Sequence, residues 1–227
     1  MFARHKLVWL TDDGWRHALT NAAPVDRAAM AEWRLADWPA IVRRADVGIA
    51  PGQVCLGLAL PPDPASGCKR RVALTMDAAH VKKIAPSIGI NAVLHTVAPA
   101  WVDGLTALQA QADKAAIPIG VYGACAMQAL TGQRYLTPTS DIDLLWYPVT
   151  TAQLEIAIDL LRVHAATLPL DGEIVFPSGQ AVAWKEWSNA AQHKTARVLA
   201  KAMDTVSLMR MQDLAATLDQ PLDQNRA

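Results

Sequence analysis

Residues 120–146 read GVYGACAMQALTGQRYLTPTSDIDLLW, and the prediction of the fold begins from this stretch. In its first part an apolar strand runs up to Gly123, where the pattern changes to that of a helix. Glycine lacks a Cβ atom, so the chain can turn sharply there and an anion can approach the backbone. The start of a helix adds free N–H groups and a positive dipole end. The pattern therefore predicts that Gly123 and Ala124 bind phosphate groups.

The second part of the stretch ends in Ser140-Asp-Ile-Asp-Leu-Leu-Trp146, which predicts a strand. Side chains alternate along a strand, so Asp141 and Asp143 point to the same face. Two carboxylates at this spacing repel each other unless a cation lies between them. Because hard oxygen ligands suit Mg²⁺ or Mn²⁺, we expect Asp141 and Asp143 to be catalytic metal ligands.

A third carboxylate is expected from a neighbouring strand, since a two-metal site needs a shared set of ligands. The segment Leu170-Asp-Gly-Glu-Ile-Val-Phe176 offers Asp171 and Glu173, which lie on one face of a strand. Glu173 is nearer the apolar centre of this strand and is the preferred metal ligand. Asp171 remains an alternative catalytic carboxylate.

Patterns on either side of this stretch predict an α+β protein with two domains. Residues 1–115 are expected to form a smaller N-terminal α+β domain, with a hairpin and then a helical stretch after Asp77. In residues 116–218 strands alternate with helices, which predicts a second domain built on a sheet. The polar end, residues 219–227, is expected to be a flexible tail.

Composition narrows the possible partners. Lys plus Arg balance Asp plus Glu at 21 each, so the excess of positive charge typical of proteins that bind nucleic acid is absent from the sequence. No stretch approaches the roughly 18 consecutive apolar residues of a membrane span. The three cysteines are too few and too irregularly spaced for a disulfide framework. We therefore expect a cytoplasmic protein with neither nucleic acid nor membrane as a partner.

The order of glycine turn, helix, Asp-x-Asp strand and later acidic strand resembles the polymerase-β nucleotidyltransferase superfamily. Within it, residues 123–136 and 140–145 closely resemble the malonate decarboxylase holo-acyl-carrier-protein synthases, also called phosphoribosyl-dephospho-CoA transferases. Weaker similarity extends over most of the chain, in residues 4–10, 38–44, 171–174 and 181–186.

This resemblance implies that residues 116–218 are a polymerase-β-like nucleotidyltransferase domain with a mixed sheet, and that residues 1–115 contribute to substrate or carrier-protein binding. The implied donor is 2'-(5''-triphosphoribosyl)-3'-dephospho-CoA. The implied acceptor is a serine of the apo acyl carrier protein subunit of malonate decarboxylase, with diphosphate as the leaving group. The family usually has Gly-Ser at the turn, whereas this chain has Gly123-Ala124 and lacks that hydroxyl.

Two alternative functions remain open at this point. The chain could be a nucleotidyltransferase that modifies a different protein or a small molecule. It could also be a non-catalytic binding module of the same fold, a reading for which Ala124 is the only hint.

Several other residues are candidates for substrate contact, and each also has a structural explanation. Helix residues are often only capped or exposed, and tryptophans are often core. A lysine in an apolar strand could meet a phosphate or extend to solvent. Basic runs such as Lys69-Arg-Arg71 usually mark a solvated face, although an acidic carrier could dock there. The candidates for substrate binding are Gln128, Thr131, Ser140, Trp184, Lys185 and Lys201.

Overall fold

The computed structural model describes residues 2–191 and 196–220, and its first part forms a sheet with two helices. The elements of this part are β1 (Leu7–Leu10), α1 (Asp12–Thr20), α2 (Arg27–Leu35), β2 (Ala40–Val42), β3 (Gln53–Ala59), β4 (Arg71–Asp77) and β5 (Val81–Ala85). The strands lie in the order β4-β3-β2-β1-β5, and every neighbouring pair is antiparallel. Alternation in β4 turns Val72, Leu74 and Met76 inward, which is why this strand has one buried face.

The second part of the chain forms a six-stranded sheet with helices packed against it. Strand β7 pairs in parallel with β8, and the other neighbours are antiparallel, so this sheet is mixed, as predicted. The strand order is β11-β10-β9-β8-β7-β6. The elements are α3 (Pro99–Lys114), β6 (Ile119–Val121), α4 (Gly123–Thr131), β7 (Ile142–Trp146), α5 (Thr151–His164), β8 (Leu170–Val175), β9 (Ala181–Ala183), α6 (Trp184–Ala190), β10 (Arg197–Lys201), β11 (Val206–Arg210) and α7 (Met211–Ala215).

Helix α5 is the crossover that joins the two parallel strands, because parallel neighbours need a connection long enough to return to the same end of the sheet. Its buried residues Leu154, Ile158 and Leu161 recur at helical spacing and face the core. The Thr150 side chain accepts a hydrogen bond from the Gln153 N–H and so caps the start of the helix. The crossover places the ends of β7 and β8 side by side.

The two sheets have separate hydrophobic cores, and α4 belongs to both. Cys125 and Ala126 pack in the core of the second sheet, whereas Met127 belongs to the core of the first. Tyr135, which follows the helix, also packs in the first core, and its hydroxyl donates to the Ala59 carbonyl at 2.7 Å. The helix that begins at the glycine turn therefore lies where the two parts of the protein meet.

Some local predictions were wrong. The segment after Asp77 forms only one helical turn, residues 78–80, and then continues as β5. Pairing with β1, far away in the sequence, determines this strand, and a local pattern does not reveal such a partner. The segment from Ile90 to Ala112 packs in the core of the second sheet, although the sequence placed it in the N-terminal domain.

The end of the described chain is held in place. Asp219 accepts a hydrogen bond from the Thr151 hydroxyl at 2.6 Å, and its own N–H donates to the Val149 carbonyl at 2.9 Å. The rest of the predicted tail, residues 221–227, lies outside the described residues. A search of the described helices found none with the length and apolar character of a transmembrane span.

Candidate active site

The glycine turn and the Asp-x-Asp strand meet in space. Gly123 has a φ angle of +66°, a conformation that residues with a side chain rarely adopt. A Cβ atom built at this position would lie 1.9 Å from Asp143 Oδ2, so the carboxylate packs directly against the turn. The Tyr122 N–H also donates to the Asp143 carbonyl at 3.0 Å. These contacts bring the first carboxylate of the site to the start of α4.

Asp143 and Asp171 are direct neighbours on the two parallel strands. The register pairs the Cα atoms of Asp143 and Asp171, with Leu144 opposite Gly172. The strands approach closely at that glycine, where a Cβ atom would lie 1.9 Å from the Leu144 carbonyl oxygen. Asp141, two residues before Asp143, is exposed at the start of the strand. The three aspartates therefore lie at the N-terminal ends of two adjacent strands in the interior of the sheet.

Burial and the neighbouring carboxylates make ionisation of Asp143 less favourable. Burial raises the pKa of Asp143 to about 6, and the negative charges of Asp171 and Asp141 add to that increase. The positive charges of Lys69 and Arg71 act in the opposite direction. A site with these opposing charges favours a ligand that carries both a cation and an anion.

Lys69, in the loop before β4, and Arg71, the first residue of β4, lie near the aspartates of the second sheet. Together with Gly123 and Ala124 they line a cavity of about 250 Å³ that also contains Asp141 and Asp143. Within the described chain, neither Lys69 nor Arg71 forms an ion pair with a carboxylate. Their charges are thus available for phosphate groups, which is the chemistry that the start of α4 also favours.

Glu173 has a different environment from the aspartates. It is only 3% exposed, and the side chains of Arg4, Lys201 and His5 surround its carboxylate. Arg4 Nη2 lies 3.0 Å from Oε2, Lys201 Nζ 2.8 Å from Oε1, and His5 Nε2 3.3 Å from Oε2. Burial alone would raise the pKa of Glu173, but hydrogen bonds from His5 and Lys201 and the charge of Arg4 lower it far below the usual range. The preferred third metal ligand is therefore engaged in ion pairs, and Asp171 fits that role better.

The Glu173 ion cluster closes one end of a second cavity, of about 490 Å³, between the two sheets. His5 lines this cavity and packs against Tyr122, with 4.2 Å between the ring centroids and an angle of 46° between the ring planes. His5 has a φ angle of +68°, which is uncommon for a residue with a side chain. Gly123 and Asp143 also line the cavity, so it opens onto the same turn. The N-terminal segment thus completes one wall of the site.

Three candidates near the turn serve as structural supports. Gln128 Oε1 accepts from the N–H groups of Tyr135 and Leu136, both at 3.0 Å, and its Nε2 donates to the Thr96 carbonyl at 2.6 Å. The Thr131 hydroxyl donates to the Met127 carbonyl at 2.7 Å. Ser140 is buried but lines the smaller cavity, and its Oγ accepts from the Thr137 N–H at 2.9 Å.

The remaining candidates lie on the Glu173 side. Trp184 is buried in the second core, and Lys185 Nζ lies 3.8 Å from Asp171 Oδ1 in an exposed pair. Lys201 is committed to Glu173. Of these three, only Lys185 contacts one of the site's aspartates, and exposed ion pairs of this kind contribute little.

A divalent metal fits the donors that are present. Among residues 2–191 and 196–220, no group of three or more His, Cys, Asp or Glu side chains is placed to hold a metal ion by itself. Mg²⁺ generally binds to one or two carboxylates and completes its shell with water and substrate phosphates. Asp143, together with Asp141 and Asp171, whose charges raise its pKa, suits a site of this open kind.

Comparisons with known proteins show which family the chain resembles. A family model described as the phosphoribosyl-dephospho-CoA transferase MdcG C-terminal domain matches residues 88–212, and the corresponding N-terminal domain matches residues 3–87. The phosphoribosyl-dephospho-CoA transferase of Xanthomonas campestris pv. campestris (strain 8004) is 38% identical over 92% of this chain and 94% of its own length. The protein with the same name from Bradyrhizobium diazoefficiens is 34% identical over 91% of this chain and 89% of its own length. No solved structure gave a significant match.

Proposed function

This chain belongs to the family of phosphoribosyl-dephospho-CoA transferases, and from that premise we propose its reaction. The donor is 2'-(5''-triphosphoribosyl)-3'-dephospho-CoA. The acceptor is a serine of the apo acyl carrier protein subunit of malonate decarboxylase, and the reaction takes place in the cytoplasm. The product is a carrier protein that bears its prosthetic group through a phosphodiester.

One observation carries this proposal: cations that pair with no carboxylate of the described residues share a cavity with clustered carboxylates at the glycine turn. Lys69, Arg71, Asp141 and Asp143 all line the small cavity. A triphosphate with its divalent cation satisfies both groups at once, whereas a neutral ligand satisfies neither. The site therefore suits phosphoryl transfer from a triphosphate.

In this site, Asp141, Asp143 and Asp171 would hold Mg²⁺ or Mn²⁺. When bound, the metal supplies positive charge for the phosphate oxygens as the leaving group departs. Lys69 and Arg71 bind the phosphates, and the start of α4 at Gly123 orients them through its backbone. Glu173 has a positioning role, because its contacts with Arg4 and His5 hold the N-terminal segment against the second sheet.

The chemical step is a substitution at the α-phosphorus. The serine Oγ forms a new bond to this phosphorus and loses its proton, while the bond to the bridging oxygen of the β-phosphate breaks. Diphosphate departs with the electron pair of that bond. Catalysis in such reactions consists mainly of positioning and electrostatic stabilisation.

The test is a transfer assay with the purified protein, apo carrier protein, Mg²⁺ and the triphosphoribosyl donor. Mass spectrometry should detect a carrier that has gained the phosphoribosyl-dephospho-CoA group. Omitting Mg²⁺, or substituting Asp141→Ala, should remove this product. The exposed variant Asp159→Ala, on α5, serves as the control and should transfer normally.

Other outcomes would identify a different function. Transfer of a nucleotide from ATP, with the dephospho-CoA donor inert, would indicate a nucleotidyltransferase that acts on another protein or a small molecule. Tight binding of donor or carrier without turnover would indicate a non-catalytic binding module.

A further inference from the structure

A third cavity, of about 700 Å³, lies beside the phosphate cavity and has no role in the site described so far. It is enclosed by α2, the loop between β3 and β4, and the segment after α4. Leu60, Pro62 and Arg70 line both this cavity and the phosphate cavity, so the two spaces adjoin. A group attached to a bound triphosphate can therefore extend into the larger space.

Its walls are mainly apolar and flat. Pro61, Pro62 and Pro138 contribute ring faces, and Trp33 and Leu136 add apolar surface. Such walls, with a few polar groups at defined positions, are typical of sites for small organic ligands. The cavity therefore suits a planar group with apolar faces.

Two polar groups in this cavity lack partners within the described part of the chain. Gln133 Nε2 donates to Glu32 at 2.9 Å, but Gln133 Oε1 is buried without a hydrogen-bond donor. A buried acceptor in this state is unfavourable by about 1–3 kcal/mol unless a donor reaches it. Arg134 is exposed at the cavity and forms no ion pair with a described carboxylate. The cavity therefore offers the Arg134 cation directly, and Gln133 Oε1 becomes available as an acceptor when the Gln133 side chain turns toward the cavity.

We propose that this cavity binds the adenosine diphosphate portion of the donor's dephospho-CoA. The inference rests on the proposed function, because the donor's triphosphoribosyl group is attached at the adenosine 2' oxygen and adenosine is thus the next group along. Adenine packs between the proline faces, and its amino group donates to Gln133 Oε1 after the Gln133 side chain has turned toward the cavity. Arg134 pairs with the diphosphate that links adenosine to the pantetheine arm.

The cavity between the two sheets also adjoins the phosphate cavity, but it is a poorer fit for adenosine. It ends at the Glu173 ion cluster, whose hydrogen bonds are made within the protein. None of the buried side-chain atoms that lack a partner in the described chain lines it. The larger cavity is therefore the better match to a ligand with an exocyclic amino group.

The experiment measures the binding of two separate probes by calorimetry: 3'-dephospho-CoA, and inorganic triphosphate with Mg²⁺. Pro138→Trp fills the larger cavity, and Arg134→Ala removes its cation at an exposed position, where the truncation leaves no void in the core. Each variant should weaken dephospho-CoA binding by about tenfold, because a charge-assisted contact or a complementary surface is lost. Binding of magnesium triphosphate should not change. Val163→Trp, at an exposed position on α5, is the matched control and should leave both affinities unchanged.

Three results would overturn the inference. If Pro138→Trp and Arg134→Ala both bind dephospho-CoA as the wild type does, the adenosine site is wrong, whereas the proposed function stands. Weakened binding in Ala73→Trp, which narrows the cavity between the sheets, together with normal binding in Pro138→Trp, would move the adenosine site there. If the wild-type protein binds magnesium triphosphate but not dephospho-CoA, both the inference and the proposed donor fail.

Discussion

Asp143 and Asp171 lie directly beside each other on parallel strands, with the Gly123 turn packed against the first of them. Burial raises the pKa of Asp143 to about 6, and the charge of Asp171 adds to this increase. The two acidic residues of β8 have different environments, because Glu173 forms ion pairs with Arg4 and Lys201, whereas Asp171 lies beside Asp143. Substitutions of Asp143, Asp171 and Glu173 should therefore have different effects on transfer and on stability.

Asp171→Asn should abolish most of the metal-dependent transfer. The amide keeps an acceptor for the Gly172 N–H, which donates to Asp171 at 2.9 Å, but it removes the charge. Because a bound metal contributes several kcal/mol to catalysis, we expect a loss of about 100-fold or more. Single-turnover rates over a range of Mg²⁺ concentrations measure this loss. A wild-type rate would remove Asp171 from the set of ligands.

Asp143→Asn should stabilise the metal-free protein at pH 7. The pKa of Asp143 is raised from 3.8 to about 6, so the folded state binds a proton more tightly than the unfolded chain. Its contribution to stability is present below pH 3.8 and is lost as the pH rises through 6. Removing the charge should therefore increase the free energy of unfolding by roughly 1–3 kcal/mol at pH 7. Urea denaturation at pH 5 and pH 7 measures the effect, and equal gains at both values would contradict it.

Glu173→Gln should destabilise the protein by about 3 kcal/mol or more, because it leaves Arg4 and Lys201 beside a neutral side chain. The lowered pKa of Glu173 gives the opposite sign to Asp143: this stabilisation is present at neutral pH and is lost as the pH falls below the usual glutamate range. Thermal unfolding at several pH values tests both statements. Glu155→Gln, on the exposed face of α5, is the control. Equal stability of the two variants would show that the ion cluster contributes nothing.

Gly123→Ala should be much more harmful than Gly132→Ala. Both glycines have a φ angle near +70°, so both substitutions carry a similar backbone strain of about 1–2 kcal/mol. At Gly123 the new methyl group would also meet Asp143, whereas nothing lies within 4 Å of the corresponding position at Gly132. We expect Gly123→Ala alone to lose donor binding. Calorimetric titration with magnesium triphosphate makes the comparison, and similar affinities for the two variants would disprove the close contact.

Ala124→Ser should strengthen the binding of magnesium triphosphate. Ala124 lines the phosphate cavity at the start of α4, where a hydroxyl can donate to a phosphate oxygen. A hydrogen bond to a charged group contributes about 1.5–3 kcal/mol, so the affinity should rise about tenfold or more. Weaker binding of magnesium triphosphate by this variant would contradict the prediction and would mean that the cavity is shaped for the alanine methyl group.

The parts of the site that lie within one short segment could be predicted from the sequence. The alternation of Ser140-Asp-Ile-Asp143 placed two carboxylates on one face, and the pattern change at Gly123 located the turn. In the fold these elements are β7 and α4, as expected. Both predictions depend on local periodicity, which the backbone imposes on a few consecutive residues.

The parts contributed by distant segments could not be predicted. Glu173 and Arg4 are 169 residues apart, and no spacing in the sequence indicates that they pair. Lys69 and Arg71 were noticed only as a basic run, because the carboxylates near them belong to the other sheet. Helix α1 was not predicted, although its buried residues Gly14, Trp15 and Ala18 lie on one face.

The loop between β3 and β4 lines both the phosphate cavity and the larger cavity beside it, yet the carboxylates project from a different sheet. The loop therefore contributes Lys69 to the phosphate cavity, and it shares the larger cavity with the segment after α4. Its residues Asp63, Pro64, Gly67 and Cys68 line the larger cavity and not the phosphate cavity. A designer could change these positions to accept another triphosphate without altering Lys69 or the three aspartates, and natural variation in the length of this part of the loop would be expected to change donor preference before it changed the reaction.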